Sequence, residues 1–422
     1  MKKNTLIFIL SLLLFSNSYN TAPCHARNNA SNNLEYLDNP YFRYYPDKKQ
    51  IYARNIWDMI GFQGKLYLGA GNSSNQGPSP NAGPVPIIAY TPETNSFDPV
   101  FMTSDEQIDA FYLHNNRLLV PGHDPKESWA LGNLYLLEDG QQWQKKRTIP
   151  NAIHTYCLCF FNNKLFAGLG AANNGPSVAV SDDLGTSWNL LLPNHSERIY
   201  NFLVVTDKLY ALGMILSPEF TPIIESIRGK PYTAVHEYSD KGKFFPRQDI
   251  NSNQLFPETL LNPKKRYKIS NPQTVNDKAI YMGSYIHNDH QFIPFGLYVA
   301  ESLTAKALSI KKIPLPEGAL PWDIYHSGKY IYILLNKTII DDMVEVSVLR
   351  SDNLKDWTEL FYFVSPALVR SFALLENNFY FSIGSEITNS RFWNQNELKP
   401  ETGDILKLDG RHFLQDQPQG TI

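Results

Sequence analysis

The sequence predicts an all-β protein, a seven-bladed β-propeller of four-stranded antiparallel blades preceded by a cleaved signal peptide. Three observations carry this. A short motif of turn, polar or basic residue, aliphatic, aromatic and glycine recurs seven times. Strand-like runs flank each copy, and the composition is rich in strand formers, with Tyr and Phe at 24 each. A repeat of roughly 45–50 residues marks a radial or stacked array, since one such unit cannot bury its own apolar face.

From the N-terminus, MKKNT is a basic start, Leu6 to Phe15 an apolar run, and Cys24-His25-Ala26 a small-x-small cleavage site. That tripartite order is a secretory signal, too short to span a bilayer, which needs about 20 helical residues. Cleavage is expected after Ala26, giving a secreted or periplasmic protein without a membrane anchor. Residues 27–50 form an N-terminal arm that can supply a closing outer strand to the last blade, protecting an edge prone to aggregation. Residues 51–422 are the propeller, interrupted by a long insertion at about 214–268 that reads as a lid, an interface or an elongated outer hairpin.

The seven copies are QGKLYLG (63–69), NNRLLVPG (115–122), NNKLFAG (162–168), TDKLYALG (206–213), NDKAIYMG (276–283), SGKYIYIL (327–334) and ENNFYFSIG (376–384). A strand-like run precedes each, among them IWDMIGF, HTYCLCFF and PWDIYH. A Gly/Asn/Pro-rich loop and a third strand follow, with room for a fourth. Two-residue NN, ND and SG steps between the first and second strands are hairpin turns. Beyond the signal no helix-period stretch stands out, and no nucleophile elbow, phosphate loop or metalloprotease motif is present.

Charged residues are 19% of the 422 and the formal charge is −3, which excludes a basic nucleic-acid-binding face. Cys157 and Cys159 stand two apart on one strand and read as small buried thiols, since a disulfide there would be strained.

The stretch SDDLGTSW, Ser181 to Trp188, lies after the third strand of copy three. It resembles the Asp-box (BNR repeat) of sialidase-like propellers, with Ser181, Asp183, Gly185, Ser187 and Trp188 matching that pattern. SDNLKDW (351–357) is a shortened echo and EDGQQW (138–143) a weaker one. The residues describe a self-contained turn: carboxylate and hydroxyl cap backbone N–H groups, Gly takes a left-handed conformation, and Trp packs into the next gap. Asp183 is read as structure, not chemistry.

The resemblance implies a ligand site at one end of the central channel. Nine residues before the aliphatic position of each copy stand Trp57, Asp109, Tyr156, Tyr200, Asn271, Trp322 and Arg370. Two residues earlier on the same face are Asn55, Gln107, His154 and Arg198. Aromatic rings beside amides, acids and guanidinium groups suit a carbohydrate, with rings on C–H faces and polar groups on hydroxyls or a uronate. Arg54 and Trp129 join the substrate-binding set. The candidate catalytic residues are those of a polysaccharide lyase: Arg198 as neutraliser, His154 or Tyr200 as base, Tyr156 or His123 as acid. The alternatives are a non-catalytic propeller binding a protein partner or acting as a scaffold, and a sialidase-type hydrolase in which Arg54, Arg198 and Arg370 form a triad. His287 and His290 could bind zinc only with a third ligand such as His123. They are read as an exposed loop, no metal is assigned, and the cofactor is left unknown.

Overall fold

The computed structural model describes residues 27–74, 79–171, 177–192, 198–229, 231–287, 291–340, 343–386 and 398–414. Residues 1–26, where the signal peptide is read, lie outside them. Seven antiparallel sheets follow one another around a central channel, and in most of them the four blade strands are hydrogen-bonded in chain order from the innermost outward. Blade one is typical: Asp58–Phe62, Lys65–Gly69, Pro86–Thr91 and Ser96–Met102. Among the described residues no helix is long and apolar enough to cross a membrane.

The hairpin between the first two strands has the same cause in most blades. Its two residues both take positive φ in Gln63-Gly64, Asn115-Asn116, Asn162-Asn163, Thr206-Asp207, Asn276-Asp277 and Glu376-Asn377. That is the type I′ geometry whose twist matches the flanking strands, and Asn, Asp and Gly tolerate it best.

Ring closure uses the arm. Leu34–Asp38 pairs antiparallel with Ile405–Asp409, so the last blade takes its outermost strand from the beginning of the chain. Before that strand, Arg27 lies 4.2 Å over the Tyr362 ring and pairs with Glu359 (2.7 Å) and Glu345 (2.9 Å). Tyr41, just after it, is fully buried and its hydroxyl donates to the carbonyls of Leu68 (2.9 Å) and Pro86 (3.0 Å). Apolar side chains from neighbouring sheets interlock between the blades; Tyr90, Tyr135 and Tyr380 share one such cluster. Each buried large side chain contributes about 1.5–3 kcal/mol relative to exposure.

The turn at Ser181–Trp188 forms as its residues require. The Asp183 carboxylate accepts from the amides of Ser187 (2.8 Å) and Thr186 (3.1 Å), and the Ser181 hydroxyl accepts from the Gly185 amide (2.7 Å). Gly185 sits at φ 81°, and a Cβ there would clash with the Leu134 side chain. Trp188 packs against the leucine cluster between blades two and three, its indole N–H donating to Thr148 at 3.1 Å.

Extra strands and a helix depart from the expected four-stranded plan. The third sheet has six strands, because Asp105–Gln107 and His123–Pro125 add to its inner edge, and the fifth has five. The region 214–268 supplies the outer hairpin of blade four, Val235–Tyr238 and Phe244–Pro246, one of the alternatives read for it. It also holds an α-helix, Thr221–Arg228, which the sequence reading did not anticipate. Eight residues are too few for a clear period, but Pro222 in its first turn and Gly229 in a left-handed C-cap are the expected stop signals.

Candidate functional site at the channel mouth

The channel is a cavity of about 1700 Å³. All seven residues of the inner ring, Trp57, Asp109, Tyr156, Tyr200, Asn271, Trp322 and Arg370, line it, with His123, His154 and Arg198. Three other candidates are elsewhere. Arg54 is turned away: its guanidinium donates to the carbonyls of Tyr45 (2.8 Å) and Pro46 (3.0 Å) beside a second cavity of about 870 Å³. Asn55 is fully buried behind the wall, and Trp129 is 58% exposed outside the channel. The three arginines therefore do not converge, and the triad a sialidase would need is not assembled.

On the blade two–three side, a strand bridge places His123 opposite His154. His123 Nδ1 is hydrogen-bonded to the Asp109 carboxylate, which also accepts from Gln107. Burial alone would lower the His123 pKa; Asp109, then Asp124 and Asp105, outweigh it and push it up to about 9. Burial likewise drives Asp109 up, but His123, Gln107 and Lys268 bring it below the ordinary carboxylate range. His154 is pushed down by burial, Asp124 opposing and the charges of His123 and Arg198 reinforcing. One imidazole is thus charged and the other neutral, their ring centres 5.1 Å apart.

Beside them the Tyr156 ring stacks on His154 (5.0 Å, 22°) and lies 4.7 Å from Tyr200. Arg198 donates to the Tyr156 hydroxyl at 2.6 Å. Burial, then Tyr200, push the Tyr156 phenol well above its ordinary value, Arg198 offsetting part. Across the mouth Lys268 Nζ stands 3.3 Å from the Phe292 ring centre and 5.8 Å from that of Tyr200. Burial lowers the Lys268 pKa to about 8, with Asp109 opposing. Among the described residues neither Arg198 nor Lys268 forms an ion pair with a carboxylate.

On the opposite wall, Arg370 is engaged. It lies 4.4 Å over Trp57 and 5.5 Å over Trp322, and donates to Glu386 (2.8 Å), Ser385 O (2.6 Å) and Asn55 (3.0 Å). Its charge is spent on the wall, and Trp57 and Trp322 are braced by it.

No family model matches the chain, and no curated protein matches it. Among solved structures it is similar to the computationally designed Ika8 protein (8% identity, 84% of this chain and 96% of that one, TM-score 0.46). It is also similar to the β-propeller domain of the trilobed protease from Pyrococcus furiosus (9%, 84% and 95%, 0.45). A Bombyx mori GH32 beta-fructofuranosidase in complex with sucrose matches at 11% identity over 87% of this chain and 94% of that one, TM-score 0.36. At such scores none of the three bears on what this chain does; the fold rests on its own sheets.

Counting along the repeat missed Lys268, Asp58 and Asp323. Alternation back from Asn271 leads to Ile269, which is buried in a blade core. A bulge at Asn271 (φ 44°), with the register slipping between Ser270 and Gln273, moves Lys268 onto the channel face instead. Asp58 and Asp323 follow Trp57 and Trp322 in a repeated Trp-Asp pair that was legible. The Asp58 carboxylate accepts from the Phe111 amide (2.6 Å) and that of Asp323 from the Phe372 amide (3.0 Å), each tying one blade to the next. Burial raises both, Asp58 to about 7 and Asp323 well above its ordinary value. Of the loop histidines, His290 lies outside the described residues.

Proposed function

We propose that the protein is a secreted propeller, akin to Asp-box propellers, that binds acidic carbohydrate at the channel mouth and cleaves it by β-elimination. One observation carries this reading: Arg198 and Lys268, without carboxylate partners among the described residues, flank two neighbouring tyrosines, Tyr156 and Tyr200, whose rings are tilted 39° to one another in the cavity. Two cations facing one space suit a uronate carboxylate, and the rings of Tyr156, Tyr200 and Phe292 suit the apolar sugar face.

In the elimination, Arg198 and Lys268 neutralise the carboxylate, which makes the C5 proton acidic. Tyr200 takes that proton. The C5–H electrons form the C4–C5 double bond, the C4–O bond breaks, and Tyr156 protonates the departing oxygen. Tyr156 fits the acid because burial keeps its phenol protonated; Tyr200, the neighbouring phenol on the Lys268 side, is assigned the base. His154 is a weaker base candidate, being 7% exposed with Nδ1 2.5 Å from the Asp124 carboxylate.

A second reading, a protein partner, has its own observation: Ile223 and Ile227 of the blade-four helix are 52% and 75% exposed. Incubation with acidic and neutral polysaccharides separates the readings. Near-ultraviolet absorbance from an unsaturated product, lost in Arg198→Ala and Tyr200→Phe, supports elimination. Reducing ends without that absorbance would replace it with hydrolysis, and binding without product would leave only the recognition half.

A further inference from the structure

We propose that His123, Asp124 and His154 form a binding site for one divalent transition-metal ion of the zinc class, built where blades two and three meet. The site is independent of the elimination chemistry above, which uses none of these three side chains.

The ligand atoms already converge. His123 Nε2 is 3.9 Å from one carboxylate oxygen of Asp124, and His154 Nδ1 is 2.5 Å from the other. One ligand atom from each residue can be chosen so that all three lie within 4.8 Å of one another. Two ligands bound at about 2.0–2.2 Å in a tetrahedral site stand about 3.4 Å apart, so these separations bracket the required value.

His154 supplies the observation that points to a ligand. It is more than nine-tenths buried, and Nδ1 has no hydrogen-bond partner. Close as Oδ1 of Asp124 is, the ring N–H is not directed at it. A buried, unsatisfied nitrogen is costly, and an ion between it and the carboxylate would remove that cost.

His123 is set up from behind. Its Nδ1 is hydrogen-bonded to Asp109, and Asp109 is held by Gln107, so Nε2 is the atom left facing Asp124. A carboxylate on the far nitrogen of an imidazole is the usual support of a metal-bound histidine, fixing its orientation and raising its basicity. The backbone contributes as well. Successive residues of a regular strand face opposite ways, which would separate His123 from Asp124. Asp124 instead takes φ 58°, a strained left-handed value for a residue with a side chain.

Two imidazoles and one carboxylate favour zinc, cobalt or nickel over calcium or magnesium, which take oxygen ligands. Three protein ligands leave a position open. Tyr156 stands beside both imidazoles, its ring centre 5.3 Å from that of His123 and 5.0 Å from that of His154.

The test uses the whole protein, stripped with a chelator and titrated with zinc chloride by calorimetry, then with cobalt(II) chloride by visible absorbance. One equivalent is expected, with cobalt ligand-field bands typical of low coordination number. Asp124→Asn and His154→Gln should each abolish the bands. Asp109→Asn, acting from behind His123, should weaken zinc binding about 10–100-fold. His326→Ala, an exposed histidine, should change nothing. Unfolding of each stripped variant shows whether a loss reflects misfolding, and Asp109→Asn gives an answer even if one ligand variant fails to fold. No stoichiometric zinc uptake by the wild type overturns the proposal, as does uptake that Asp124→Asn and His154→Gln leave intact.

Discussion

Replacing Asn55 by alanine separates a ligand contact from a structural clasp, because the ring pattern makes it the first and the structure makes it the second. The side chain is fully buried between the first and last blades. Its Oδ1 accepts from the Ser385 amide (2.8 Å) and from Arg370 Nε (3.0 Å), while its Nδ2 donates to the Tyr52 carbonyl (3.0 Å). Two neutral bonds at about 1 kcal/mol each and one charge-assisted bond at about 2 give a loss of about 4 kcal/mol. With a urea dependence of about 3 kcal/mol per molar, the midpoint should fall by about 1 M. Tryptophan fluorescence reads the transition, since Trp57 lies over Arg370. Asn55→Asp keeps both acceptor contacts and should recover much of the loss. A midpoint that moves by less than a third of the expected shift, with glycan binding sharply reduced, would refute the clasp and restore Asn55 as a substrate contact.

Three other outcomes are expected. Lys268 has a folded pKa of about 8 against an unfolded value of about 10.4, so between them the unfolded chain holds more protons and stability rises with pH. Lys268→Met should therefore be more stable than the wild type at neutral pH, with an advantage that shrinks above pH 8; a flat difference across that range in urea titrations would refute the assignment. Burial raises the Cys157 thiol well above its ordinary value and Cys159 to about 12, so in a chain lacking residues 1–26 neither should react with a disulfide reagent at mildly alkaline pH until guanidinium is added. Ser181→Ala removes the hydroxyl that accepts from Gly185, and should cost about 1–2 kcal/mol in chemical denaturation while leaving carbohydrate binding unchanged, because the turn is remote from the channel mouth.

The repeat by itself determined the number of blades, the I′ hairpins and the seven ring positions, because these follow from local patterns that recur in register. The Ser181–Trp188 turn was legible for the same reason: the bonds that Ser181 and Asp183 accept from backbone amides join residues at most four apart. Tertiary structure decided what the repeat could not express. Arg370 matched the ring pattern, yet its charge is consumed by Glu386 from a loop sixteen residues away. Arg54 and Asn55 sit one step before the strand, in a 3₁₀ segment, Lys48–Arg54, and at its end, where two-residue alternation no longer predicts direction. Lys268 reached the channel through a bulge, and one inserted residue reverses every face that follows. The grouping of His123, Asp124 and His154 depends on a three-residue strand from the end of one blade joining the sheet of the next. Such pairings lie between segments some thirty residues apart, and their partners are chosen by the packing of whole blades rather than by local spacing.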